Sequence, residues 1–185
     1  MVFSLISRLV NGVKGGVTAG LTGSADVASK VVSVAKETTV SVLKETGDFA
    51  KEAFDVPASV VKGALSGISE VGVSVIKAVK GVVNGAVQGL VESGCKHDVA
   101  VGGAVAQSLH SAKELGLDVG EAAVESVQGA VDAVKQVGGD AVGATKTAVK
   151  AAVDTAKELG GDAVETVKES LSAGVDGAKD IVKSL

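Results

Sequence analysis

The chain has 185 residues, 46% hydrophobic and 22% charged, with a net charge of −4 and a mean hydropathy of +0.40. Three Phe, no Tyr and no Trp supply too little large apolar volume for an ordinary enzyme domain, while the apolar content is too high for a permanently solvated disordered chain. The basic residues do not cluster and no aromatic stacking surface exists, which argues against nucleic acid as a partner.

No uncharged run approaches the roughly 18 residues that span a bilayer. A single cysteine, and an opening Met-Val-Phe-Ser-Leu-Ile-Ser without the basic stretch of a secretory signal, point to a reducing, cytoplasmic setting, in solution or peripheral on a membrane or lipid droplet.

The first predicted element is an amphipathic helical arm over residues 1–92. Stepping by eleven from Val10 meets Leu21, Val32, Leu43, Phe54, Leu65, Ile76 and Val87, all apolar. Eleven residues make three helical turns at about 3.67 per turn, so such a column keeps one angular position. The columns beginning Leu5, Leu9, Val2 and Ile6 flank it and widen the stripe to roughly 130°. Lys14, Lys36 and Lys80 border that stripe, and an acidic column with Glu37, Glu70 and Glu92 lies opposite. The arm carries nine basic and eight acidic residues and is near neutral. Pro57 removes one helical hydrogen bond and biases Val56 away from helix, which predicts a kink near it.

Residues 93–98, Ser-Gly-Cys-Lys-His-Asp, interrupt the stripe by placing His97 and Asp98 in apolar columns, and are the predicted turn between two arms. Cys95, His97, Asp98 and His110 match no metal-ligand spacing, and two histidines without a supporting core do not suit a catalytic triad. Gly15-Gly16 and Gly102-Gly103 follow no strand and form no phosphate-loop pattern. No enzymatic activity, metal, cofactor or small-molecule substrate is expected.

The second arm, residues 99–185, continues the apolar column with Leu109, Val131, Val142, Val153, Val164 and Val175, and the lysine column with Lys113, Lys135, Lys146, Lys157, Lys168 and Lys179. With the turn included, residues 93–185 are acidic, carrying nine basic and fourteen acidic residues. Asp132/Lys135, Asp154/Lys157, Glu165/Lys168 and Asp176/Lys179 have the i,i+3 spacing that supports helix. A longer period shows in the column Val61, Gly72, Val83, Gly94, Val105, Gly116, Val127, Gly138, Val149, Gly160, Leu171, which makes 22 residues the unit. The expected fold is all-α, with long hendecad helices in a two-arm hairpin or an extended bundle.

The chain holds 25 glycines, each costing roughly 1 kcal/mol of helix propensity against Ala, so an isolated arm is a poor helix and something must hold its apolar face. Segments such as Val34-Ala-Lys-Glu-Thr-Thr-Val40, Val79-Lys-Gly-Val-Val-Asn-Gly-Ala-Val87 and Gly143-Ala-Thr-Lys-Thr-Ala-Val149 resemble the 11-mer repeats of synucleins, perilipins and exchangeable apolipoproteins. The resemblance is one of style and covers nearly the whole chain. It implies a protein that turns helical on a lipid surface, with the lysines from Lys14 to Lys179 at the polar boundary.

The competing partner is the chain itself. Gly12/Gly16/Gly20 and Gly81/Gly85/Gly89 have the four-residue spacing that lets helices approach closely, and a sustained hendecad is also the pattern of a right-handed bundle or filament. On that reading Gly72, Gly94, Gly116, Gly138 and Gly160 lie where backbones meet. A desiccation protectant shares the 11-mer but is normally far more charged.

Overall fold

The structure, a computed structural model, describes residues 2–21, 27–46 and 55–185. They form helices and, among the described residues, no strand: α1 (Val2–Leu21), α2 (Val27–Thr46), α3 (Asp55–Val71), α4 (Val75–Glu92), α5 (His97–Glu114), α6 (Val119–Gln136), α7 (Ala141–Leu159), α8 (Ala163–Gly174) and α9 (Ala178–Lys183). The class is all-α, but the two long arms are not found. The chain does turn at residues 93–96, and it turns likewise between every other pair of consecutive helices from α3 to α8. One 22-residue unit is one helix of 18 or 19 residues plus its turn, as α4 to α7 show.

The turns explain the alternating glycines. Gly72, Gly94, Gly116, Gly138 and Gly160 have φ of 79°, 97°, 69°, 76° and 72°, and nothing lies within 4 Å of where a Cβ would stand on Gly72, Gly116, Gly138 or Gly160. Cys95 N–H donates to Leu90 O and Gly94 N–H to Val91 O; Leu117 and Gly116 repeat this onto Ala112 and Lys113, and Gly139 and Gly138 onto Val134 and Lys135. This is the glycine-terminated helix end in which a left-handed residue lets two amides satisfy the last carbonyls. The expectation of close helix packing is therefore corrected at Gly72, Gly116, Gly138 and Gly160, and Gly94 shares their left-handed backbone. They are selected because an L side chain clashes at positive φ, not because a neighbour needs the space. The alternating partners Val61, Val83, Val105, Val127, Val149 and Leu171 are mid-helix and fully buried.

Pro57 is the third residue of α3, within the first turn, where an amide has no intrahelical acceptor to lose; the stretch just before α3, where a break would fall, lies outside the described residues. At the starts of α6 and α7, Asp118 and Asp140 accept from the backbone amides of Glu121 and Val142, as N-caps do.

The helices stack in two layers, α1–α3–α5–α7–α9 and α2–α4–α6–α8, which meet through consecutive helices such as α1/α2, α3/α4 and α5/α6. Within a layer, helices run parallel: Gly63 faces Val10 and Lys14, and Gly67 faces Lys14 and Thr18, so both partners advance together. Across layers they are antiparallel, since Gly12, Gly16 and Gly20 face Val42, Thr38 and Val34 in turn. Each helix thus contacts only near neighbours in the chain, the quasi-one-dimensional logic of repeat proteins. The last unit departs from the period. Position 182, where the next turn glycine falls due, is Val182; the helix breaks earlier, at Gly174–Gly177, and α9 lies against α7 and α8 with Ala178 and Val182 buried.

Candidate interaction interface

The predicted apolar column is consumed largely inside the stack. Leu21, Leu43, Leu65, Val87, Leu109 and Val153 are at most 2% exposed and join one continuous core. Val10, Val32, Ile76, Val131, Val164 and Val175 are half-buried, Val142 is 67% exposed, and Phe54 lies outside the described residues. In α1, α2, α4 and α7 the helix carries two column members three turns apart, and the one nearer the C-terminal end is the buried one.

Contact between layer neighbours runs backbone to backbone at glycines. A Cβ on Gly63 would stand 2.5 Å from Val10 O, one on Gly85 2.3 Å from Val32 O, and one on Gly129 2.4 Å from Lys80 O. Gly63 and Gly85 are 22 residues apart and belong to different layers, so the same contact is made in each. Gly67 and Gly89 repeat the relation, at 2.8 Å from Lys14 O and 2.9 Å from Lys36 O. The run Gly81/Gly85/Gly89 does lie where helices approach, and Gly16 and Gly20 face Thr38 and Val34 across the layers. Gly63, Gly67 and Gly129 escaped the sequence reading, although 22-residue steps connect Gly63 to Gly85 and Gly67 to Gly89.

A basic side chain meets a carboxylate at each layer step from α1 to α7. Lys14–Glu70 and Lys36–Glu92 are 2.6 Å apart, Lys62–Glu114 3.5 Å, Lys80–Asp132 3.1 Å, and His110–Glu158 3.5 Å. The lysine column therefore has divided duties. Lys14, Lys36 and Lys80 bridge helices, Lys113 donates to Leu159 O at the end of α7, and Lys157 pairs with Asp154 in its own helix. Lys135, Lys146 and Lys179 are exposed and Lys168 is half-buried. Of the anticipated i,i+3 pairs, Asp154/Lys157 forms, whereas Asp132 reaches Lys80. Hydrogen bonds from Lys150 and then Lys157 hold the Asp154 carboxyl below its ordinary range.

Several buried polar side chains satisfy one another in pairs. Ser108 and Ser126 hydroxyls bond to each other between α5 and α6, and the Gln88 amide donates to Asn84 and to Gln136 between α4 and α6. Such pairing avoids the cost of orphaned polar atoms and favours one alignment of neighbouring helices.

Cys95 is buried in the turn before α5, and Asp98 Oδ1 accepts from Val99 N–H at the start of α5. His97 lies beside the Gly138-Gly139 turn, and His110 Nε2 lies 3.5 Å from the Glu158 carboxylate. A cleft of about 310 Å³ between the starts of α5 and α7 is lined by His97, Asp98, Asp140 and Thr147 among others. Among the described residues no three His, Cys, Asp or Glu side chains converge on a point that could hold a metal. The chain matches no protein-family model and no curated protein.

Proposed function

We propose that this protein is a non-enzymatic structural protein that assembles by helix stacking, its apolar columns joining helix to helix within one copy and between copies. What supports this reading is the use made of the column: Leu21, Leu43, Leu65, Val87, Leu109 and Val153 pack against the chain's own helices, and the glycines beside them admit backbones rather than acyl chains. The partner is then a second copy of the chain. Circular dichroism and sedimentation test it: strong helicity in plain buffer, unchanged by anionic liposomes, with mass rising with concentration, is the expected result.

A second reading, association with a lipid surface, is favoured by one feature. A shallow groove holds Val131, Val142 and Val175 beside Lys135, with Lys80, Asp132 and Asp176 also lining it, and its exposed valine next to an exposed lysine suits a membrane or droplet surface. Helicity gained on liposomes, and lost again in Val142→Ser, decides for lipid. No described helix is long and apolar enough to cross a membrane, so contact on this reading is peripheral.

A further inference from the structure

The stack ends before its last layer step is filled. Every odd-layer helix from α1 to α5 is followed by a full parallel helix, but α7 is followed only by the six-residue α9, and Val142 at its start is left 67% exposed. Six 22-residue units upstream, 142 maps onto Val10 and 146 onto Lys14, and Val142 and Lys146 are both exposed, so α7 presents at its end two of the residue types with which α1 receives α3. Val10 there is half-buried under α3, its carbonyl 2.5 Å from where Gly63 would carry a Cβ.

The opposite end of the stack displays the complementary face. On α3 the surface laid against α1 includes Ser59 and Gly63; one double unit of 44 residues earlier these positions are Gly15 and Ala19 of α1. Both are exposed, and nothing lies within 4 Å of Gly15. Interior helices carry the same residue types at the matching positions: 15 corresponds to Gly103 in α5 and 19 to Ala151 in α7, both half-buried in helices that pack in the odd layer.

We infer that α7 of one copy receives α1 of the next, so that the odd layer continues head to tail across copies in the parallel geometry used inside the chain. This rests on the assembly reading above and specifies its surface. The contact is heterologous, since the two faces differ, and it therefore propagates rather than closing a dimer. α9, joined through Gly174 and Gly177, has to yield its place along α7 as the second copy seats.

Sedimentation equilibrium of the full chain and two variants tests this. Val142→Asp spoils the receiving face and Gly15→Arg the inserting one; both positions are exposed, so each variant should keep its helical circular dichroism. Val142→Lys and Gly15→Gln serve as second variants. Wild-type mass should rise through dimer and larger species with concentration, each variant alone should stay monomeric, and their equimolar mixture should stop at dimer, because each supplies one intact face. A wild type that stays monomeric overturns both this inference and the assembly reading. A wild type that associates, with either variant associating as well, overturns the assigned surface and leaves the assembly reading standing.

Discussion

Two regions of the stack, α3 with α4 and α5 with α7, make the same layer step by different means, while α6 keeps glycine at Gly129. From α1 to α4 it runs through glycine, with Gly63, Gly67, Gly85 and Gly89 set against backbone of the preceding layer helix. In α5 and α7 the positions matching Gly63 and Gly67 carry Gln107, Ser111, Ala151 and Thr155, and Ser111 and Thr155 are buried. The ends differ too: α4 and α5 begin at Ser74 and Lys96 with no side-chain cap, whereas α6 and α7 begin at aspartates that accept backbone amides. One 22-residue template therefore tolerates either bare backbone or small side chains at the contact. The glycine steps, Gly129 of α6 among them, are tight and intolerant; those at α5 and α7 trade closeness for side-chain packing, and capping varies independently of the step.

Gly85→Val tests that contrast most severely. Its Cβ has a carbonyl oxygen 2.3 Å away rather than the tip of a movable side chain, so the loss should reach about 3 kcal/mol, read as a large drop in thermal midpoint. At Ala151, which already bears a side chain, the reverse change Ala151→Gly should cost only about 1 kcal/mol, through helix propensity. Equal effects at the two sites would erase the distinction between the regions.

The turn glycines come next. Gly116→Ala forces a Cβ into φ of 69° and should cost about 1–2 kcal/mol although its surroundings are empty. A neutral outcome in denaturant unfolding would show that the turn can relax to negative φ.

Capping sharpens the comparison further. Asp140→Ala should cost about 1 kcal/mol in urea unfolding, because the Val142 amide loses its acceptor. Ser74→Ala should be close to silent, since that hydroxyl makes no cap bond.

The smallest effect is expected at Asp154. Its carboxyl is held low by Lys150 and then Lys157, so its contribution is present above the unfolded carboxylate pKa of about 3.9 and is lost as pH falls through the lower folded value. Asp154→Asn should therefore narrow, slightly, the stability gap between about pH 6 and acid; an unchanged gap would show the surface pairs contribute nothing.

The all-helical class and the column structure were legible in the sequence because both follow from local spacing: apolar residues every eleven positions share a face whatever that face touches. The close contacts at Gly81, Gly85 and Gly89 were legible for the same reason, as a run of missing side chains four apart. What the columns could not convey was where helices stop. Twenty-two residues is six turns of continuous helix and equally one 18-residue helix with a four-residue turn, so the period alone allows both two long arms and a stack of short helices.

The strictly alternating glycines carried the answer in an ambiguous form. A missing Cβ serves a left-handed helix end at Gly94 or Gly116 and a backbone approach at Gly85 alike, and only the fold separates the two. The sign of φ at each position, and with it the reversal of the chain every 22 residues, was decided in tertiary structure. Folding back lets each weak, valine-rich helix bury its stripe against neighbours, which a single extended helix in water cannot do.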